Sequence, residues 1–179
     1  MLETSRLVLR ELCPADQAGI LALYSNPEVS RVSEMATLAN PGQAARVLDA
    51  FQAEFKNGVG IRWAIILRET NRLAGVCGIG WYPLNRSALF SYDLNQDYWN
   101  RGLMTEAGLA VVKRTFEQTD TNRITATTVV DNLRSMRVLQ KLGFQEEGTL
   151  RDWAFWKGEF KDLRCFSLLR RDFQSPAKH

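Results

Sequence analysis

The chain has 179 residues, 45% of them hydrophobic and 24% charged, and carries a formal net charge of +3. No apolar run approaches the roughly 20 residues that cross a bilayer. The single histidine, His179, excludes Ser-His-Asp and Cys-His catalysis and any multi-histidine metal site. The basic residues are spread along the chain, which favours an anionic ligand over duplex nucleic acid, since duplex binding usually needs a denser basic patch.

The N-terminal part predicts one strand followed by two helices. Residues 6–12 alternate between apolar and polar side chains, as a strand does. A first helix is expected over residues 14–26. The second helix has clearer limits, because Asn40 is a good N-cap, Pro41 suits the first helical position and the Asn-Gly pair at residues 57–58 ends it.

The rest of the chain predicts six strands and two helices. In order, these are strands at about residues 62–68, 73–82 and 88–95, a helix at 103–118, a strand at 124–130, a helix at 131–143, and two closing strands that turn at residues 157–158. This order is typical of a mixed α/β domain. We expect one domain over residues 1–173 and a mobile tail over residues 174–179.

The strongest local signal lies in residues 92–107, where a strand enters a loop that opens a helix. The first amides of a helix have no partner within it and lie at the positive end of its dipole, so they bind pyrophosphate readily. Gly102 would let the backbone approach such a ligand closely, and Arg101 adds a cation. A turn with a packing glycine would have the same composition, so the wider pattern has to decide.

The same stretch resembles the acetyl-CoA motif of the GNAT superfamily, Gln/Arg-x-x-Gly-x-Gly/Ala after a strand that reads Gly-Tyr-x-Leu. Here residues 91–94 read Ser-Tyr-Asp-Leu and residues 99–104 read Trp-Asn-Arg-Gly-Leu-Met, so Trp99 and Met104 depart from the pattern. A second motif, residues 132–144, is similar to the family's Asn-x-x-Ser-x-x-x-x-x-Lys-x-Gly-Phe. The run Gly-Leu-Met-Thr-Glu-Ala resembles the branch of ribosomal-protein alanine N-acetyltransferases.

The resemblance implies the GNAT fold, a strongly twisted mixed sheet of about seven strands flanked by about four helices. Its central strands would splay apart and hold acetyl-CoA in the gap, and no metal is implied. The residues expected to bind acetyl-CoA are Tyr92, Asp93, Leu94, Trp99, Asn100, Arg101, Gly102, Leu103, Met104, Thr105, Asn132 and Arg137.

The resemblance also implies direct attack of a neutral amine on the thioester. A backbone N–H near Tyr92 would polarise the acetyl carbonyl. Many relatives carry a tyrosine acid at the position of Leu139, which cannot donate a proton. The branch resemblance points instead to Ser135 as the group that protonates the departing thiolate.

The sequence leaves the general base open. Positions where relatives carry a glutamate hold apolar residues here, namely Leu89, Phe90 and Ala154. Asp93 and Asp152 are nearby in sequence, but the sequence does not orient their side chains. A relay through solvent is an equal alternative.

The lack of an identified general base affects which kind of acceptor amine the sequence favours. At pH 7 the neutral form costs about 4.6 kcal/mol for a lysine amine and about 1 kcal/mol for an α-amine. The sequence therefore favours the α-amine of a protein N-terminus, with two alternatives: a small amine such as an antibiotic, polyamine or amino acid, or a non-catalytic acetyl-CoA-binding protein. Residues 30–39 are expected to contribute to the acceptor cleft.

The remaining expectations concern location and partners. Residues 1–6 lack the basic-then-apolar layout of a signal peptide, so we expect a cytoplasmic protein. We expect neither a membrane nor a direct nucleic-acid partner, and a monomer or a homodimer.

Overall fold

The computed structural model describes residues 1–173, and the tail predicted at residues 174–179 lies outside the described part. The strands are β1 (Leu2–Glu3), β2 (Leu7–Glu11), β3 (Gly60–Leu67), β4 (Leu73–Tyr82), β5 (Ser87–Leu94), β6 (Arg123–Val129), β7 (Gln145–Trp156) and β8 (Glu159–Leu169). The α-helices are α1 (Gln17–Tyr24), α2 (Pro27–Val32), α3 (Pro41–Lys56), α4 (Leu103–Gln118) and α5 (Leu133–Lys141).

The mixed α/β class is confirmed, but the described residues hold one more strand and one more helix than the sequence predicts. β1 is not predicted from the sequence, because two residues are too few to show an alternation of apolar and polar side chains. α2 begins where the sequence predicts only the end of α1. There the Asn26 side chain accepts a hydrogen bond from the Glu28 N–H at 2.9 Å, and Pro27 takes the first helical position. An asparagine-proline pair also begins α3, so the signal that predicts α2 is present in the sequence.

The eight strands form one sheet in the order β1-β2-β3-β4-β5-β6-β8-β7. Every neighbouring pair is antiparallel except β5 and β6, which run parallel and are connected through α4. The parallel pairing joins only residues 87–89 to residues 123–125. The sheet thus has a short central seam, beyond which its two central strands separate.

Both faces of the sheet are covered, and each has its own hydrophobic core. α4 and α5 pack on one face, with buried residues that include Phe90, Val111 and Phe166. α1 and α3 pack on the other, around Tyr24 and Leu48. Because β4 is central and covered on both sides, it reads as a nearly continuous apolar run.

The N-terminal segment is tied to the first turn of α4. Glu106 accepts hydrogen bonds from the Thr4 hydroxyl at 2.5 Å and the Arg6 backbone N–H at 2.9 Å, and it forms a salt bridge with the Arg6 guanidinium at 2.6 Å. Burial opposes ionisation of Glu106, but these hydrogen bonds outweigh it, so its pKa lies below the usual value. The contacts fix where α4 begins and so position the loop before it.

Two general features of residues 1–173 bear on function. None of their helices combines the length and apolar character needed to cross a membrane. The same residues contain no group of three or more histidine, cysteine or acidic side chains placed to hold a metal ion.

Candidate active site

A cleft of about 430 Å³ lies where β5 and β6 stop pairing. The last parallel pair is Leu89 with Thr125, whereas β5 continues to Leu94 and β6 to Val129. The C-terminal halves of these strands line a V-shaped gap. All the predicted site residues except Arg101 line it, namely Tyr92, Asp93, Leu94, Trp99, Asn100, Gly102, Leu103, Met104, Thr105, Asn132, Ser135 and Arg137.

One wall of the gap is the open edge of β5. Just past the end of this strand, the Asn95 N–H donates to the Ala74 carbonyl of β4 at 2.8 Å. Successive residues of a strand direct their backbone groups to opposite sides, so the N–H groups of Tyr92 and Leu94 point away from β4. They face the gap, where β6 has already diverged.

The loop before α4 has the backbone geometry of an anion site. Gly102 caps the helix with φ of +74°, and Asn100 is also left-handed, with φ of +60°. No side chain caps the helix, and the Gly102 carbonyl accepts its hydrogen bond from the Glu106 N–H at 3.0 Å. The amides of residues 103–105 therefore have no hydrogen-bond partner within the described residues, and they suit a phosphate.

The cations beside this loop come from α5. Arg134, Arg137 and Lys141 all line the cleft. The Arg101 side chain is not in the cleft wall, because its guanidinium lies over the Tyr98 ring, 5.7 Å from the centroid. Of these three, only Arg137 was expected from the sequence as a binding residue. Arg137 and Lys141 follow Arg134 by three and seven residues, which puts all three on one helical face.

Trp99 departs from the family pattern and has a structural role. Its indole N–H donates to the Leu94 carbonyl at 2.7 Å, and the Arg134 guanidinium lies over its ring, 4.5 Å from the centroid. Trp99 therefore holds the loop against both β5 and α5. A smaller polar residue at this position could not make both contacts.

A hydroxyl pair joins the two walls of the cleft. The Tyr92 hydroxyl lies 2.8 Å from the Ser135 hydroxyl, and either group can be the donor. The Asn132 side chain accepts a hydrogen bond from the Ser135 backbone N–H at 3.2 Å, which fixes the start of α5. Burial raises the pKa of the Tyr92 hydroxyl, so this hydroxyl stays protonated at neutral pH. The pair can thus hold a proton beside the gap.

The opposite face of β5 carries a cluster that brings Asp93 together with the segment expected at the acceptor cleft, residues 30–39. Ser33 and Glu34, which follow α2, line the cleft together with Asp93. The buried Tyr24 of α1 donates to the Asp93 carboxylate at 2.9 Å. Asp152, the other candidate base, is exposed on β7 and is not among the residues that line the cleft. Sequence spacing could not reveal this cluster, because its members come from separate elements.

Two contacts cross the mouth of the cleft. Lys157, at the turn between β7 and β8, donates to the Ser30 carbonyl and, at 2.8 Å, to the Ser33 carbonyl. Arg31 of α2 forms a salt bridge with Asp131, just before α5, at 2.9 Å. Burial lowers the pKa of Lys157. These contacts join the segment around α2 to the C-terminal part of the sheet.

The cleft fits acetyl-CoA, the ligand that the resemblance implies. Free amides at the start of α4 and cations on α5 suit its phosphates. The open edge of β5 can bind an extended arm that carries amides, as it would bind an added strand. The hydroxyl pair of Tyr92 and Ser135 and the carboxylates of Asp93 and Glu34 line the same cleft.

Comparison with known proteins gives consistent matches. The family model described as an acetyltransferase (GNAT) domain matches residues 6–145. The uncharacterized N-acetyltransferase YoaA of Bacillus subtilis (strain 168) is 34% identical over 173 residues, 95% of this chain and 97% of that protein. The ribosomal protein uS5-alanine N-acetyltransferase of Escherichia coli (strain K12) is 32% identical over 82 residues, 46% of this chain and 42% of that protein. Among solved structures, RimL, a ribosomal L7/L12 alpha-N-protein acetyltransferase in complex with coenzyme A, shares the fold, with a TM-score of 0.84 at 18% identity over 93% of this chain and 95% of that one.

Proposed function

Since the chain belongs to the GNAT acetyltransferase family, we propose that it acetylates the α-amine of a protein N-terminus. It is an N-acetyltransferase with acetyl-CoA as its acetyl donor. Two of the relatives are named for ribosomal-protein substrates, one for an alanine and one for an alpha-N position. We further propose that the protein acts in the cytoplasm, as a monomer or a homodimer.

The observation that carries the α-amine proposal is the chemistry of the acceptor end of the cleft. The described residues that line it include the carboxylates of Asp93 and Glu34, whereas the nearby Lys157 is engaged with backbone carbonyls. A carboxylate is too weak a base to match a lysine ammonium, whose pKa is about 10.4, but it is closer to an α-ammonium at about 7.7–8.0. The site therefore suits an amine that loses its proton easily.

The backbone and side chains of the gap have distinct roles in the transfer. Acetyl-CoA supplies a thioester whose carbonyl carbon the amine attacks. The N–H groups of Tyr92 and Leu94 on the open edge are oriented to stabilise negative charge on the carbonyl oxygen. In this proposal Ser135, which is hydrogen-bonded to Tyr92, gives a proton to the departing sulfur. Asn132 holds Ser135 in place through the cap of α5.

We expect Ser135→Ala to lower kcat by about 10- to 100-fold, while acetyl-CoA binds with nearly wild-type affinity. The hydroxyl would donate to the leaving sulfur, whereas the phosphates are bound by amides and cations elsewhere. Steady-state kinetics and calorimetric titration with acetyl-CoA measure the two quantities separately. Ser25→Ala, at an exposed end of α1, is the matched control. Wild-type kcat in the Ser135 variant would remove this residue from the mechanism.

One observation favours a second candidate, a small-molecule amine. The contacts made by Lys157 and Arg31 across the mouth of the cleft narrow the approach for a polypeptide. A short flexible N-terminus could still enter, since only its first residues need to reach the gap. The relatives named above are N-acetyltransferases, which weighs against a non-catalytic acetyl-CoA-binding role.

A panel of acceptors tests the proposal, with thiol release from acetyl-CoA as the signal. The panel contains peptides with free Ala, Ser or Met N-termini, the same peptides blocked at the N-terminus but carrying a lysine, and a set of polyamines and aminoglycosides. We expect activity with the free N-termini. Activity confined to the small amines would favour the second candidate. Activity with the blocked lysine peptides would contradict the inference that the site suits only an amine of low pKa.

A further inference from the structure

Asp93 lies on β5 between the two residues whose amides face the gap. Side chains alternate along a strand, so the Asp93 side chain points to the face opposite that of Tyr92. Tyr92 packs with the core on the side of α4 and α5, and Asp93 faces the buried Tyr24 of α1. Asp93 thus lies in the wall of the cleft, on the face of the sheet that α1 covers.

The hydrogen bonds of Asp93 are unevenly divided between its two oxygens. Tyr24 donates to Oδ2 at 2.9 Å, and the Ser33 hydroxyl donates to the same oxygen at 3.3 Å. Within the described residues, Oδ1 takes part in no hydrogen bond. Asp93 also lines the cleft, so the carboxylate is held by one oxygen and presents the other to a ligand.

The buried carboxylate of Asp16 shows what a purely structural aspartate looks like in this fold. Arg10 binds both oxygens of Asp16, at 2.8 Å each, and the Cys13 N–H donates to one of them. Although burial opposes ionisation of Asp16, these bonds outweigh it and its pKa is lowered. For Asp93, burial dominates and the pKa is raised, and no cation within residues 1–173 forms a hydrogen bond or salt bridge with the carboxylate.

The cation nearest to Asp93 on β3 is already engaged. Arg62 forms a salt bridge with Glu54 at 3.2 Å and donates to the Ser91 hydroxyl at 3.1 Å. It lowers the pKa of Asp93 only through space. Among the described residues, the Asp93 carboxylate therefore has no directly paired cation, so it can pair with an external one such as an ammonium.

Of the other ionisable groups around Asp93, Tyr92 lies on the same strand and three belong to other parts of the chain. Glu34, after α2, disfavours the charged carboxylate, whereas Lys157, at the β7–β8 turn, interacts favourably with it. Tyr24 of α1 and Tyr92 of β5 both have pKa values raised by burial, so both stay protonated near neutral pH. Asp93 is thus the carboxylate of this cluster whose protonated form burial favours.

We propose that Asp93 is the general base, which takes a proton from the acceptor ammonium onto Oδ1, and that Tyr24 and Ser33 are positioning residues that hold Oδ2. This inference rests on the proposed function, because it assumes an amine acceptor in this cleft. The nitrogen lone pair freed by Asp93 forms the bond to the acetyl carbon, and the carbon–sulfur bond breaks. Ser135 gives its proton to the sulfur and regains one from solvent, to which the second nitrogen proton and the proton on Asp93 are released.

The pH dependence follows from the state of the carboxylate. Burial raises the pKa of Asp93, and the hydrogen bonds from Tyr24 and Ser33 act in the opposite direction. As the pH falls through this raised pKa, Asp93 becomes protonated and can no longer accept a proton, so kcat falls. A raised pKa also means that the charged carboxylate costs stability, a cost that is absent at low pH and appears as the pH rises through the folded-state pKa.

The test compares Asp93→Asn with Asp152→Asn, a matched change on the exposed part of β7. We expect Asp93→Asn to lower kcat at pH 7 by about 100-fold or more. The loss should shrink above about pH 8, where an α-amine is already neutral. In the wild type, kcat should change little between pH 7 and 9. Asp152→Asn should match the wild type throughout.

Two further readouts separate catalysis from structure. The melting temperature of Asp93→Asn should equal or exceed that of the wild type at pH 7, since the variant removes a costly buried charge. Tyr24→Phe removes a bond that favours the carboxylate, so the acid limb of its pH–kcat profile should move to higher pH. A melting temperature that falls together with kcat would assign Asp93 a structural role.

Other results would overturn the inference directly. Wild-type kcat in Asp93→Asn, or a raised KM with an unchanged pH–kcat profile, would make Asp93 at most an anchor for the ammonium. The comparison is run with whichever amine of the panel the wild type accepts. Failure of the α-amine proposal would appear in the wild type, whereas failure of the base assignment would appear only in the variants.

Discussion

Gly102→Glu is expected to weaken acetyl-CoA binding by about 100-fold or more, which corresponds to about 2.7 kcal/mol. Gly102 is left-handed and caps α4, and an added Cβ would lie 3.7 Å from Arg6 Nη2, an ordinary van der Waals distance. The glutamate carboxylate would lie beside the free amides that suit the pyrophosphate, so it would compete with and repel it. Calorimetric titration with acetyl-CoA measures the change.

Gly58→Glu is the matched control for this experiment. Gly58 follows α3, has a similar φ of +67° and has no atom within 4 Å of an added Cβ. It therefore reproduces the backbone strain and the new charge at a position that does not line the cleft. We expect it to bind acetyl-CoA like the wild type. Equal affinities for Gly102→Glu and Gly58→Glu would contradict the assignment of the phosphate loop.

Gly75→Ala is expected to lower both stability and activity. A Cβ at Gly75 of β4 would lie 2.3 Å from the Asp93 carbonyl and 2.9 Å from the Leu94 Cα, so β5 would have to move. Overpacking of this kind costs about 1–3 kcal/mol, or a fall in melting temperature of about 2–4 °C per kcal/mol in a chain of this size. Because the displaced residues form the cleft wall, kcat should fall by about 10-fold or more. Thermal unfolding and steady-state kinetics measure the two effects.

Gly80→Ala, on the same strand, is the control for this substitution. An added Cβ at Gly80 meets nothing within 4 Å, so the variant should keep the stability and kcat of the wild type. If Gly75→Ala behaves like Gly80→Ala, β5 can move without disturbing the site. The geometry of the open edge would then matter less to the reaction than the side chains of the cleft.

The sequence predicted elements well where a boundary residue carried the information. The helix expected at residues 103–118 has those limits in the structure, because Gly102 precedes a periodic apolar face. The GNAT resemblance is confirmed by the family match. α2 and β1 were harder to predict, since one is only six residues long and the other only two.

The two sides of the candidate site also differ in how well the sequence predicts them. The donor side is built from two contiguous motifs, so the resemblance to the GNAT patterns named most of the residues that line it. The acceptor side is built from α1, the segment after α2, β5 and the β7–β8 turn, and no spacing rule links Tyr24 to Asp93 across 69 positions. Alternation could place Asp93 opposite Tyr92, but only the packing of α1 shows that Tyr24 covers the face on which Asp93 lies.

The short seam between β5 and β6 has a thermodynamic consequence. Three residue pairs are the only strand pairing seen in residues 1–173 between the five N-terminal strands and the three C-terminal ones. A ligand bound along the open edge would replace part of the missing ladder and link the two parts of the sheet. A ligand that binds only the folded state, at a free concentration of 100 times its Kd, adds about 2.7 kcal/mol to the free energy of unfolding. Bound acetyl-CoA should therefore slow amide exchange on both sides of the seam, as well as at the residues that touch it.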